Sequence, residues 1–370
     1  MTRTRWIAIL TALVIFAAAC SDDDSGSGDG EPDAALASAT EPASASGLAS
    51  EPAEASGSAS EPAEDEGMRT TYPLTFETCG VESTLDGPPE SIVLYYDYGA
   101  PLLLWGLGDT IESFVTFQLD TGYPGLTEAD YADLPITTEQ PSREAIIDLS
   151  PDLILTASDF AWNEEAGFLS REDLNEAGIA TWLPESLCAQ DKSDPTPEEA
   201  ERLENRGFDD VIAEFLELGV IVDRQAEAEA LAAEMEGKMA EVEARVPDGE
   251  PVSVAIITGP ADGSDATGVY TGGVNEDVLE RIGGLNPFRS DDRGQFTTIS
   301  VEELTITPLD VVLTDGVLDP GGDENFLGLF PTWPASEDGR IFHQDGLVSS
   351  GPGLPWAAER AFERLYPDVP

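Results

Sequence analysis

Two segments 158 positions apart repeat one pattern, and that duplication limits the folds open to this chain. Ser142-Arg143-Glu144 is followed by an apolar stretch and then Pro151-Asp152-Leu153-Ile154-Leu155-Thr156. Ser300-Val301-Glu302 is followed by an apolar stretch and then Pro308-Leu309-Asp310-Val311-Val312-Leu313-Thr314. The serine of each copy can cap a short helix, whose first free N–H groups need an acceptor. The proline ends that helix, and the aspartate leads into an all-apolar run of strand length. A helix feeding a strand that is apolar on both faces is half of a parallel βαβ unit, because only a sheet covered on both sides buries such a strand. Two copies so far apart predict two similar α/β lobes.

The rest of the chain fits that frame. Strands are expected over 91–95, 111–117 and 179–183, with helices over 101–107 and 165–177. A long helical region follows over 197–246. Within it, 226–245 is almost pure Ala, Glu, Leu, Met and Lys, all strong helix formers, and Leu231, Met235, Met239 and Val242 share one apolar stripe. After Pro247 the α/β pattern restarts, with strands over 252–258 and 339–342 and helices over 274–282 and 354–365.

The N-terminus carries an address. Arg3 and Arg5 precede an apolar run over 6–16 and then Ala17-Ala18-Ala19-Cys20. This is a signal peptide ending at a cysteine, and it resembles a bacterial lipoprotein signal, which implies lipidation of Cys20. The apolar run is shorter than the roughly 20 residues of a membrane span. Residues 21–67 contain no Lys, Arg or aromatic residue and repeat a ten-residue unit from Glu41, Glu51 and Glu61. Such a composition cannot bury enough apolar surface to offset its ordering entropy and reads as a disordered tether. The expected organisation is a signal peptide (1–20), an acidic linker (21–67), an N-terminal lobe (68–200), an interlobe helical region (201–247) and a C-terminal lobe (248–370).

The formal charge is −57, with 74 acidic against 17 basic residues. Nucleic-acid binding needs clustered Lys and Arg and is excluded as a role; adaptation to salty surroundings, where screening removes much of the repulsion, accounts for the excess. Apart from Cys20, two cysteines remain, Cys79 and Cys188. In an exported chain an even remainder predicts a disulfide.

Taken in order, the motifs resemble those of the substrate-binding lipoproteins of ABC importers for iron–siderophore complexes and vitamin B12. They are Pro89-Glu90-Ser91-Ile92-Val93, the first Ser-x-Glu with Pro-Asp-Leu-Ile-Leu, Ile282-Gly283-Gly284-Leu285-Asn286, Ser300-x-Glu302, and Gly351-Pro352 before the last helix. Cys79-Gly80 resembles the opening of actinobacterial members, and the likeness spans 72–368. It implies a class III periplasmic-binding-protein architecture: two Rossmann-like lobes joined by one long rigid helix, with the ligand between them. It also implies a membrane permease as partner, docked through one glutamate on each lobe. The matching positions are Glu144 and Glu302, with Glu303 competing for the second. A solvated glutamate favoured by the helix dipole is the plain alternative for both.

Cleft-lining residues are expected in loops at the strand ends. The candidate ligand contacts are Tyr96, Tyr98, Phe160, Trp162, Tyr270 and Trp333, with Asp97, Asp159 and Asp315-Gly316 among them; some of these rings are expected to be core instead. His343, the only histidine, reads as structural, and without a histidine cluster a zinc or manganese site is not expected. No nucleophile motif is present, so no enzyme and no cofactor is expected. Scarce basic residues disfavour trianionic catecholate chelates unless Arg143, Arg171, Arg289 and Arg293 meet in the cleft. The favoured cargo is a ferric hydroxamate siderophore. Cobalamin or haem on the same fold, or an exported enzyme on this scaffold, are the alternatives.

Overall fold

The computed structural model describes residues 69–370 apart from 165–166, 191–194, 261–265, 290–294, 315–332, 344–345 and 348–349. The signal peptide with Cys20, the 21–67 linker, Arg293 and Asp315-Gly316 lie outside the described residues.

An antiparallel hairpin opens the described chain, β1 (Leu74–Thr78) with β2 (Val81–Leu85). Its two-residue turn is Cys79-Gly80, with φ of 52° and 75°, the pair of left-handed residues that a type I′ turn requires. The N-terminal lobe follows as β3 (Ile92–Tyr95), α1 (Gly99–Leu104), β4 (Ile111–Val115), β5 (Ile136–Thr137), α2 (Arg143–Leu149), β6 (Leu153–Thr156), α3 (Arg171–Glu176) and β7 (Ala180–Trp182). Its sheet has the order β5-β4-β3-β6-β7 and is parallel throughout. The expected helix over 165–177 begins only at Arg171, because Ser170 is its cap: the Ser170 Oγ accepts from the Asp173 N–H at 3.1 Å.

The helical region is three helices rather than one, α4 (Pro197–Glu204), α5 (Phe208–Ile221) and α6 (Gln225–Glu243). A left-handed Asp223 (φ 56°) separates the last two, its carboxylate holding the Arg69 guanidinium and the Thr70 N–H. The stripe Leu231, Met235, Met239 and Val242 is buried as its spacing predicted. Burial of each such side chain contributes on the order of 1.5–3 kcal/mol.

The C-terminal lobe comprises β8 (Val252–Pro260), β9 (Ala266–Tyr270), α7 (Gly273–Arg281), β10 (Gly284–Leu285), β11 (Phe296–Ser300), α8 (Val301–Ile306), β12 (Val311–Thr314), α9 (Pro334–Glu337), β13 (Ile341–His343) and α10 (Leu354–Leu365). The sheet order is β11-β9-β8-β12-β13. Strands β8, β12 and β13 are parallel, while β9 and β11 run antiparallel to their neighbours.

The repeated segments are therefore α2–β6 and α8–β12, each strand lying parallel to the first strand of its lobe. The shared aspartate has a shared task. Asp152 Oδ2 accepts from the Glu90 and Ser91 N–H groups at 2.9 and 3.1 Å, and Asp310 Oδ2 accepts from the Ser253 N–H at 3.2 Å. Each pins the entry of the neighbouring strand, which would otherwise leave backbone donors unpaired.

Alternation along these strands explains their continuous apolar runs. Ile92, Leu94, Leu153 and Leu155 of one lobe and Val254, Ile256, Val311 and Leu313 of the other face a single core built around α5, α6 and α10. The alternate residues Val93, Tyr95 and Ile154 face an outer cluster in the first lobe, and Ala255, Ile257 and Val312 face one in the second. One core thus runs through both lobes. Helices α2 and α8 close the outer faces through equivalent buried residues, Ile146 and Leu304.

The interlobe cleft

The strand order in the first lobe reverses between β3 and its two neighbours, so the chain leaves β4 and β6 on opposite sides of β3. Crevices at the carboxyl ends of parallel strands open at such a point. A cavity of about 650 Å³ lies there. From the first lobe it is bordered by residues 96–101 after β3, 118–122 after β4, and Glu128 and Tyr131. From the second it is bordered by His343, Gly346, Gly351, Arg360 and Arg364. A second cavity of about 300 Å³ shares Tyr96 and Asp97 with the first and continues between Ala157, Ser158 and Arg206 on one side and Tyr270, Asn275 and Phe296 on the other. Together they form one cleft lined by both lobes.

Under the cleft lies a buried ion pair. Arg206 donates to Glu214 through Nε at 2.9 Å and Nη2 at 2.7 Å, and both residues are only 4% exposed. Glu214 also accepts from the Ser186 and Tyr98 hydroxyls, and Arg206 Nη1 donates to Ser350 Oγ at 2.9 Å. Strand-end, helix and second-lobe residues are thereby locked in one network. Full hydrogen bonding of this kind is what makes a buried pair tolerable.

The lobes also touch at the cleft edge. Gly353, at the start of α10, lies so close to Gly122 that a Cβ would sit 2.5 Å from the Gly122 carbonyl carbon. Beside it the Tyr123 and Trp356 rings meet edge to face at 5.0 Å, and the Tyr123 hydroxyl donates to Glu234 at 2.7 Å. The Gly351-Pro352 motif marks this close approach.

Tyr96 borders both cavities and stacks with Phe117 at 6.5 Å, its hydroxyl accepting from Gln140 Nε2. Tyr270 borders the smaller cavity and meets Phe296 edge to face. Tyr98 touches the larger cavity, but its ring packs on Trp182 in the core and its hydroxyl is spent on Glu214. Three of the expected contacts lie elsewhere. Phe160 is 43% exposed against Phe168, outside both cavities. Trp162 folds back over the outer cluster beneath the Arg171 guanidinium. Trp333, 1% exposed, is in the outer cluster of the second lobe, its Nε1 donating to the Leu304 carbonyl at 3.0 Å. A wide ring after a strand satisfies an outer face as well as a cleft, and local pattern does not separate the two.

The arginines differ too. Arg143 pairs with Asp173 on the surface, Arg171 is buried on Thr78 and Thr181, and Arg289 pairs with Glu280. Among the described residues the cleft arginines are Arg206, Arg360 and Arg364. His343 borders the larger cavity at the end of β13, a more exposed post than the structural place expected of it. No group of three or more metal-ligating side chains occurs among the described residues.

Both docking candidates sit in first helical turns on the outer faces. Glu144 follows the cap Ser142, whose Oγ accepts from the Ala145 N–H at 3.2 Å. Glu302 follows the cap Ser300, whose Oγ accepts from the Glu303 N–H at 3.2 Å. Glu144 and Glu302 are exposed, whereas Glu303 is half-buried. The Cys79–Cys188 disulfide is present.

Burial pushes the Asp97 carboxyl up to about 6; Asp120 adds to the rise and Arg206 opposes it. Burial also raises Asp120, against the Gly122 and Gly353 N–H groups and Arg360, which hold it down. A carboxyl whose folded pKa lies above its unfolded value stabilises the fold fully below the unfolded value, near 4, and that contribution is lost as pH rises through about 6. Asp97→Asn is therefore expected to match wild type at pH 4 and to exceed it at pH 7 by up to about 3 kcal/mol. Urea midpoints at the two pH values read this, and an Asn variant no more stable at pH 7 would overturn it.

The family model described as periplasmic binding protein matches residues 131–346. No curated protein matches the chain in sequence. Among solved structures, a periplasmic binding protein from Veillonella parvula superposes with a TM-score of 0.66 at 15% identity, covering 80% of this chain and 98% of the other. A protein from Saccharomonospora viridis, described as an ABC-type Fe3+-hydroxamate transport system, gives 0.62 at 24% identity, covering 80% and 99%. The periplasmic haem-binding protein RhuT from Roseiflexus gives 0.57 at 18% identity, covering 75% and 98%. At these identities the likeness is one of fold.

Proposed function

This chain belongs to the periplasmic binding protein family, and on that premise we propose that it is a lipid-anchored extracytoplasmic solute receptor for an ABC importer. It captures a chelated metal between its lobes and hands it to a membrane permease; the favoured cargo is a ferric hydroxamate. The observation that carries the reading is the cleft, bordered by both lobes at the strand ends and large enough for a small chelate. Small-molecule sites are commonly clefts of roughly 300–1,000 Å³. Likeness to the Saccharomonospora protein supports the hydroxamate class; likeness to RhuT keeps haem as the second reading. Lipidation at Cys20 and the 21–67 tether would hold the receptor near the membrane, with 68–200, 201–247 and 248–370 as its lobes and linking helices.

Titration of tryptophan fluorescence in the full-length chain tests the cargo, using ferric hydroxamates, ferric catecholates, haem and cobalamin. Saturable quenching at micromolar or tighter affinity by hydroxamates is the expected result. Quenching by haem alone favours the second reading, and no response to any of the four overturns both.

Glu144 and Glu302 serve this reading as a two-point dock, one carboxylate on each lobe for permease arginines, which pair with carboxylates bidentately. The double substitution Glu144→Arg/Glu302→Arg is expected to abolish cargo uptake by cells while leaving the titration curve unchanged. Uptake at the wild-type rate would remove these residues from the dock.

A further inference from the structure

Each lobe brings a tyrosine and a phenylalanine together at the cleft. In the N-terminal lobe Tyr96, just past β3, packs against Phe117, just past the adjacent β4. Their ring centroids are 6.5 Å apart, with planes 21° from parallel. In the C-terminal lobe Tyr270 ends β9 and meets Phe296, its ladder partner on β11, at 5.2 Å. Tyr96, Tyr270 and Phe296 all border the smaller cavity, where Leu187 and Val274 add apolar wall. The phenylalanines are the exposed members, Phe117 at 70% and Phe296 at 49%. A lone exposed apolar side chain is ordinary; two rings, one per lobe, each against a tyrosine of one cavity, are not. Tyr96 also stands at φ 75°, a left-handed backbone that costs a bulky residue energy. Its N–H is held by the Val115 carbonyl at 2.7 Å. A glycine would make the same turn without that cost, so what the position keeps is the ring.

We propose that these two ring pairs form an aromatic clamp, and that the cargo carries a flat π-bonded group held between them in the smaller cavity. The inference rests on the solute-receptor reading above and narrows the cargo by shape. Aromatic rings gain contact energy beyond area burial when they stack offset or meet edge to face. A flat guest extends stacks that each lobe has already begun and covers the exposed faces of Phe117 and Phe296. An aryl arm on a hydroxamate chelate and the plane of a porphyrin share this chemistry. A saturated ring of equal size has no π-face and gains apolar contact alone.

Two ferric trihydroxamates alike except for a terminal acyl group, benzoyl in one and cyclohexanecarbonyl in the other, separate flatness from apolar bulk. Both probes, and haem, are titrated into the full-length chain and into Phe117→Leu and Phe296→Leu variants, which keep an apolar side chain at an exposed position. The benzoyl probe is expected to bind about fivefold tighter, with the preference lost in Phe296→Leu and reduced in Phe117→Leu. Equal affinities, or tighter binding of the saturated probe, overturn the clamp and leave the receptor reading standing. A preference unchanged in both variants overturns its placement on these rings. If haem alone binds, a weakening of about fivefold in the variants supports the clamp with a porphyrin as guest, and an unchanged affinity overturns it. Binding of none of the three overturns the hydroxamate and haem readings and this inference with them.

Discussion

Replacing Glu214 with leucine is expected to lower the unfolding free energy by about 3–5 kcal/mol, among the largest effects of any single change in this chain. The cost is the buried charge that remains. Arg206 loses both bidentate bonds and keeps only the Ser186 and Ser350 hydroxyls. The Tyr98 and Ser186 hydroxyls, which donate to Glu214, lose their acceptor as well. The double variant Arg206→Met/Glu214→Leu removes the stranded charge and should recover most of the loss, since packed apolar residues replace buried pairs at little cost. Urea denaturation of the three proteins gives the coupling. A single-variant loss below about 1 kcal/mol would mean that Arg206 rehydrates through the smaller cavity it borders. That outcome would remove the network as a brace between the lobes.

Removing the disulfide, as Cys79→Ala/Cys188→Ala, is expected to cost up to about 4–5 kcal/mol. The bond closes a loop of 109 residues, and its loss frees the unfolded chain by roughly that amount in chain-entropy terms. The folded state has a partial substitute. Arg171, buried beneath the hairpin, donates to the Thr78 carbonyl and hydroxyl and to Thr181, so β1–β2 stays tied to β7 without the bond. The variant should therefore fold with a lower urea midpoint rather than fail to fold. Midpoints of the variant and of wild type with and without reductant read the effect. A loss under about 1 kcal/mol would show that the denatured chain is already restricted without the bridge.

Much of the fold was legible because it is written in local pattern. Leu153–Thr156, Val311–Thr314 and Leu354–Leu365 have the bounds expected of them, since three apolar residues and a threonine after a Pro and an Asp, or a strongly amphipathic run, leave little choice of structure. The Gly283-Gly284 motif finds its reason only in three dimensions. Gly283 has φ 80° and accepts the Tyr366 hydroxyl at 2.8 Å, and Gly284 enters β10 against β8. The β1–β2 hairpin was missed: Leu74, Phe76 and Val81 are only half-buried, and their polar neighbours hide the strand pattern.

The sequence alone determined two α/β lobes, the helical stretch between them, the paired Ser-x-Glu helices and the cysteine pair, because each rests on near neighbours or on composition. Tertiary structure decided the cleft. Asp97, Asp120, Arg206, His343 and Arg360 share no period and no spacing; they meet because strand ends, a helix start and the last helix converge where the lobes face each other. It also decided which rings are core. Trp162 comes in the loop after a strand as Tyr96 does, and Trp333 stands just before a short helix, yet both cover outer sheet faces, a choice made by packing area rather than by sequence order.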